Sequence, residues 1–354
     1  MKKMSKTARN SLITYGIVIL AYVGCEIWMR FGNMSSLMEG LLVPLCVYAI
    51  LAVSLNLTVG ILGELSLGHA GFMCVGAFAS ATFTKCMEQA IPIPTVRFII
   101  AVLIGVICAG ICGILVGIPV LRLRGDYLAI VTLAFGEIIK NLVNVLYIGK
   151  DSNGFHFSTK DVMSLNMETD GVVIVNGPQG ITGTPQNSTF LIGFILVMIT
   201  LFVVMNLVNS RDGRAIMAIR DNRIAAESIG INITKYKLMA FAISAAMAGA
   251  AGVLYAHNLS TLTATTNNFG YNQSIMILVF VVLGGIGSIR GSMIAAVILT
   301  LLPEMLRGLS DYRMLIYAIV LIVMMLFNWA PKAIEWREKN FSFLRLRKKK
   351  EAVK

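Results

Sequence analysis

Glu137 carries the most demanding chemistry in this 354-residue chain. It stands inside the apolar run 127–147, where an unpaired charge is costly in hydrocarbon. Lys140 follows at i+3, and Asn141 and Asn144 at i+4 and i+7, spacings that bring side chains onto one face of a helix. Such a polar stripe faces protein or water rather than lipid. It serves either as an ion pair between helices or as part of a path for a polar solute. A second constellation is Arg211, Arg214, Arg220, Arg223, Ala225, Ala226, Glu227 and Gly230. Asp221 or Asn222 suits a helix N-cap and Gly230 a left-handed C-cap, so one or two short helices are predicted there. The small side chains of Ala225 and Ala226 would let such a helix sit in a partner's groove. The other reading is an amphipathic connector on lipid headgroups. A third stretch, Gly60, Gly63, Glu64, Ser66, Gly68, His69 and Gly71, is too rich in glycine for a plain helix interior. It predicts a broken or closely packed segment and a candidate gate. The lone His69 fits a neutral packing histidine better than a substrate ligand.

The motifs that the chain lacks narrow its chemistry. There is no Gly-x-x-x-x-Gly-Lys-Ser/Thr loop to hold nucleotide phosphates, and the glycines 284, 285, 287 and 291 have neither the spacing nor the lysine of one. Neither a Ser-His-Asp set nor an HExxH pair is evident. Six cysteines fall in or beside apolar runs, and the three histidines, His69, His156 and His257, are too scattered to complete a metal site. An enzyme is therefore not expected, nor a cofactor or metal held by this chain.

The elements that must position these residues are long apolar runs. Hydrophobic residues make up 57% of the chain and charged ones 14%, too few charges for a soluble domain of this length. Ten runs are long enough, or nearly so, to cross a bilayer: 11–28, 37–59, 69–84, 98–120, 127–147, 189–208, 238–257, 272–287, 291–306 and 314–327. They are continuous rather than alternating, so the expected fold is all-α, a polytopic membrane helical bundle of eight to ten spans. The third, eighth and ninth runs are short and contain glycine, which admits broken or re-entrant segments. Of 30 Lys and Arg residues, 22 fall in segments 1–10, 60–68, 121–126, 209–237, 288–290 and 328–354. Positive loops stay inside, so these segments and both termini are expected in the cytoplasm. The organisation that follows is a basic N-terminus (1–10), a transmembrane domain (11–327) and a basic tail (328–354). Within the domain, 148–188 is an external loop, either a docking surface, a lid or a solvated connection. Segment 209–237 is a cytoplasmic loop. The first run is expected to be an uncleaved helix. The net charge of +12 is spread by topology rather than gathered on one basic face, so nucleic acid is not an expected partner. The tail is suited to anionic lipid headgroups or to a solvated stop signal.

Several motifs carry a resemblance. Ala225, Ala226 and Gly230 match the core of the Glu-Ala-Ala-x-x-x-Gly loop of ABC-importer membrane subunits, with Ile224 in place of the Glu. The stretch Gly63-Glu64-Leu65-Ser66-Leu67-Gly68-His69-Ala70-Gly71-Phe72 is longer and more specific, and it closely resembles the branched-chain amino-acid importer permeases. So do Gly76-Ala77-Phe78, Leu123-Arg124-Gly125-Asp126-Tyr127, Thr132 to Glu137, Gly177-Pro178-Gln179-Gly180-Ile181 and Gly284-Gly285-Ile286-Gly287-Ser288. The resemblance spans nearly the whole chain. It implies the ABC-importer permease fold in a bacterial plasma membrane and a second permease subunit. It also implies two cytoplasmic ATPases that carry the ATP and Mg, and an external substrate-binding protein. Segment 209–237 would be the ATPase-coupling loop, and the implied substrates are leucine, isoleucine and valine. Permeases for urea, short amides or other amino acids share much of this pattern. A self-contained secondary transporter is the competing class, although acidic groups beyond Glu137 are few at mid-membrane.

Overall fold

Each apolar run folds as a helix, because a segment with no polar side chains to replace water must satisfy its backbone internally. The computed structural model describes residues 6–32, 35–88, 90–123, 125–151, 154–167, 171–306 and 312–329. The expected N-terminal segment 1–10 lies partly outside the described residues, and so does nearly all of the tail 328–354. In chain order the helices are α1 (Lys6–Arg30), α2 (Ser36–Asn56), α3 (His69–Cys86), α4 (Pro94–Val120), α5 (Asp126–Asn144), α6 (Phe190–Asn209), α7 (Arg211–Asp221), α8 (Arg223–Ser228), α9 (Ile233–Ala256), α10 (Thr266–Phe269), α11 (Tyr271–Gly284), α12 (Ile289–Met305) and α13 (Arg313–Trp329). Every expected span coincides with one of these to within a few residues. The boundaries follow local chemistry. Ser35 and Thr189 accept hydrogen bonds from the first turns of α2 and α6, and Pro94 opens α4 where its missing N–H costs nothing. Among the described residues, five helices are long and apolar enough to cross a membrane by length and composition alone: α1, α2 with its continuation to Leu62, α4, α6 and α9.

The core is the seam of α3, α4 and α9, which is built on small residues. A Cβ placed on Gly76 would come 2.5 Å from the Cα of Gly249, so the two backbones touch with nothing between them. Gly105 and Ala109 of α4 complete the seam, and Gly252 leaves no room for a Cβ against the Met73 carbonyl. Close backbone approach of this kind replaces the hydrophobic driving force that lipid removes.

The chain is not wholly α-helical. Segment 148–188, expected as an external loop, contains most of a three-stranded antiparallel sheet. Its strands are β1 (Tyr147–Asp151), β2 (Gly154–Ser158) and β3 (Val172–Asn176), in the order β2-β1-β3. A two-stranded pairing joins β4 (Ile181–Thr182) to β5 (Thr261–Leu262) before α10. The reason is legible in retrospect. Val172, Val173, Ile174 and Val175 are β-branched, and Ile148, Leu165, Ile174 and Val175 are buried together. Lys150 donates to the Cys86 carbonyl at 2.8 Å, which fixes the sheet to the end of α3.

The connections between spans gather at two ends. At one end the α2–α3, α6–α9 and α11–α12 connections touch one another. At the other the α3–α4, α5–α6 and α9–α11 connections meet, with Thr84 bonded to His257 at 3.0 Å and Asn144 to the Ala264 carbonyl at 3.0 Å. This grouping is what strictly alternating spans require.

Candidate translocation and coupling site

The glycine-dense stretch is a helix break. Beyond Asn56 the helix loosens into a π-turn over Leu57–Leu62, and the chain reverses at Gly63, whose φ of 80° suits a residue without a Cβ. Residues 64–68 run as a non-helical strap before α3 starts at His69. Polar contacts hold the strap from several sides. Glu64 pairs with Lys237 at the start of α9, both largely buried. The Leu67 N–H donates to Thr132 Oγ1 on α5 at 3.0 Å, and the Ala70 N–H donates to Ser274 Oγ on α11 at 3.1 Å. His69 is buried and shares a 2.7 Å hydrogen bond with Ser54 Oγ, as a packing histidine would. Gly68 packs flat against the Thr132 carbonyl, and Ser66 Oγ is buried without a hydrogen-bond partner among the described residues. Of the residues expected at a gate, Gly63, Glu64, Ser66, Gly68 and His69 therefore lie in one packed knot.

Glu137 and Lys140 form the ion pair that their spacing predicts, at 2.5 Å. The pair is also an anchor for the next span. Lys140 donates to Thr266 Oγ1 at 3.1 Å, and the second Glu137 oxygen accepts the Tyr271 N–H at 2.7 Å. A carboxylate at the positive N-terminal end of α11 is favoured by the helix dipole. Glu137, Lys140 and Asn144 thus hold α5 to the α10–α11 corner. Asn141, expected in the same stripe, is exposed beside this cluster and takes no part in it. Thr265, Asn267, Tyr271 and Asn272 are exposed on the neighbouring surface. Ile138 and Leu142 of α5 and Ile275 of α11 are exposed among them, so the surface there is mixed, whereas the outward faces of α4 and α6 carry mainly aliphatic side chains such as Ile99, Leu103, Ile107, Ile111, Leu191, Ile195 and Ile199.

The basic segment 209–237 folds as two short helices. Ser210 caps α7 through the Gly213 N–H, and Asn222 caps α8 through the Ala225 N–H at 3.0 Å. Gly230 closes α8 with φ 86°. Arg211, Arg214, Ala225 and Glu227 are exposed, and Arg223 is half-buried. Ala226 corrects the expectation of a two-alanine docking face, because it is buried against Ile219 and Ile233. Ile224 and Ile229 take its place on the surface, 82% and 75% exposed. Sequence reasoning took Ile224 only as a departure from a motif, yet Ile224 and Ile229 are the aliphatic side chains that the 222–230 stretch leaves exposed. It also missed Lys237, Thr132, Ser274 and Asn56, whose partners lie far off in the chain.

With this geometry in hand, relatives sharpen the reading. Residues 37–327 match the family model described as the permease component of branched-chain amino acid transport systems. The high-affinity branched-chain amino acid transport system permease protein LivM of Salmonella typhimurium is 35% identical over 305 residues, covering 81% of this chain and 67% of that protein. LivH of the same organism is 24% identical over 258 residues, covering 71% and 79%. The ribose import permease protein RbsC of Haemophilus influenzae is 27% identical over 292 residues, covering 79% and 81%. No solved structure matches the chain significantly.

Proposed function

The chain belongs to the family of permease components of branched-chain amino acid transport systems, and on that premise we propose that it forms half of the translocation path of an ATP-driven importer for leucine, isoleucine and valine. The greater identity to LivM than to LivH favours the M-type role, with an H-type chain as the second permease subunit. As a membrane permease it moves solute rather than transforming it. The chain's sequence has no nucleotide cradle, so ATP and Mg belong to two cytoplasmic ATPases docked on segment 209–237. An external binding protein would deliver substrate at the face that carries the small sheet. The excess of Lys and Arg in segments 1–10, 209–237 and 328–354 favours cytoplasmic placement of both termini in a bacterial plasma membrane.

One observation carries the placement of the path. Around Glu137 the exposed surface mixes Asn141, Thr265, Asn267 and Asn272 with Ile138 and Leu142, whereas that of α4 and α6 is mainly aliphatic, and polar groups inside a bilayer are stable only against protein or water. The path therefore runs along α5 and the α10–α11 corner, where the second permease subunit closes it. Permeases for urea, short amides or other amino acids would present the same scaffold, with selectivity set by the binding protein.

The test is purification of the tagged chain from its native membrane in mild detergent, followed by uptake of labelled leucine into liposomes. Recovery of a second permease and two ATPases, with uptake that needs ATP and binding protein, is the expected result. A chain that purifies alone and transports on an ion gradient overturns the proposal.

A further inference from the structure

The π-turn that ends α2 leaves the Gly60 carbonyl without an intrahelical donor, because the helix ends at Leu62, two residues further on. Arg220, on the last turn of α7, supplies that donor through Nη1 at 3.0 Å. The guanidinium is aimed by its neighbour, since Nε and Nη2 both donate to Asp221 Oδ1, at 3.0 and 2.9 Å. Its aliphatic stem lies on the bare Cα of Gly63, where a Cβ would stand 2.6 Å from Arg220 Cγ. Beneath it, Ile216 of α7 packs with Leu57, Ile61 and Leu62 of the π-turn. Among the described residues, the other side-chain hydrogen bonds from the 211–232 segment to membrane helices go to its immediate neighbours in the chain, Arg214 donating to the Asn209 carbonyl that ends α6 and Asn232 accepting from the Lys235 N–H in the first turn of α9.

The same π-turn is also tied to a second helix pair. Gly60 lies flat on Gly287, so close that a Cβ would come 2.7 Å from the Gly287 Cα. The Asn56 amide bridges them, accepting the Gly287 N–H at 2.9 Å and donating to Ser292 Oγ at 2.8 Å. A shift of α7 thus reaches the end of α2 and the α11–α12 turn through one backbone carbonyl. From that turn α11 is a straight rod of 14 residues, about 21 Å long, whose far end holds Glu137.

We propose that the Arg220 contact with the Gly60 carbonyl is the mechanical link that passes movement of the coupling helices to the break in α2 and to α11. Arg220 is then a positioning residue: it touches neither solute nor nucleotide, and its loss uncouples hydrolysis from transport. The inference rests on the reading that segment 209–237 receives the ATPases.

The experiment uses the whole importer in liposomes, measuring ATP hydrolysis and labelled leucine uptake together. For R220Q we expect full retention of the ATPases, hydrolysis within about twofold of the parent, and uptake per ATP lowered about tenfold, the worth of one charge-assisted hydrogen bond. R220K, which keeps the stem and one donor, restores most of the coupling. An unchanged ratio in R220Q overturns the link. So does loss of the ATPases from R220Q, because Arg220 would then be a docking contact. If R220Q does not accumulate, D221N decides, since Asp221 is exposed and only aims the guanidinium. A fall of about threefold in uptake per ATP supports the link, of the order of one weakened hydrogen bond, and no change overturns it. A parent chain that retains no ATPase refutes instead the coupling reading beneath.

Discussion

The seam of α3, α4 and α9 and the break between α2 and α3 are both buried and both rich in glycine, yet they use the residue for opposite ends. In the seam, Gly76, Gly105 and Gly249 sit inside unbroken helices and allow backbones to touch. In the break, Gly63 reverses the chain and exposes peptide groups that must then be satisfied by Arg220, Thr132 and Ser274. In the seam the helices meet mainly backbone on backbone, with the Thr84–His257 bond at one end, whereas the break adds several long-range hydrogen bonds to the packing of Leu57, Ile61 and Leu62. A region held by shape alone has one arrangement, because close-packed interiors do not deform continuously. A region held by a few exchangeable hydrogen bonds can have two, which is what alternating access demands.

The comparison breaks if the seam tolerates bulk. Gly76→Val should force α3 from α9 at a cost of about 3 kcal/mol, the upper range for overpacking, and folded yield and uptake should fall together. Normal yield with lost uptake would show that the seam also moves. The next effect is at the ion pair of the break. Lys237→Met leaves Glu64 unpaired, at a cost of about 2 kcal/mol, below the roughly 3–5 of a fully enclosed pair because Glu64 is partly exposed. Adding Glu64→Gln should return part of that stability, as a thermal-shift cycle of the four proteins would show. Independent losses from the two substitutions would mean the pair contributes nothing to holding the strap.

A smaller effect sharpens the distinction. Gly63→Ala adds the left-handed strain, about 1 kcal/mol, and also pushes on Arg220 Cγ, near the root of a side chain held by three hydrogen bonds. Yield should barely change, while uptake per folded molecule should fall about fivefold, the factor that such an energy represents. Equal losses of both would place the break with the seam, as packing alone.

The seam was easier to read in the sequence than the break. Its residues lie within long apolar runs that hydropathy marks out, and in the structure Pro94 opens one of them. Local chemistry also yielded the Asn222 and Gly230 caps and the Glu137–Lys140 pair, whose partners are within a turn or two. The knot at the break was foreseen only as a break. Its bonds join residues up to 236 positions apart, such as Asn56 to Ser292, and no spacing rule reaches that far. Hydropathy also conceals them, because Ser54, Asn56 and Thr58 are averaged away inside a strongly apolar run. The sheet of 148–188 escaped for another reason. Its three strands are only five residues long, two of them carry Gly149 or Gly154, and period-two alternation never accumulates.

The smallest expected effect tests which face of the bundle sees lipid. Asn141 and Ile107 are both exposed, and the proposed path would place Asn141 against it and Ile107 against hydrocarbon. An asparagine against lipid tails is costly, so its replacement by leucine would raise thermal stability and leave uptake alone. An asparagine against a watered path gains nothing from leucine. For Asn141→Leu the expected result is therefore a stability change within about 0.5 kcal/mol, with uptake at sub-saturating leucine lowered about twofold, a few tenths of a kcal/mol. The mirror substitution Ile107→Asn should lower folded yield and leave the uptake of each folded molecule intact. If Asn141→Leu is instead more stable with uptake intact, α5 faces lipid there, and the path must be sought on the other side of Glu137, between α5 and α11.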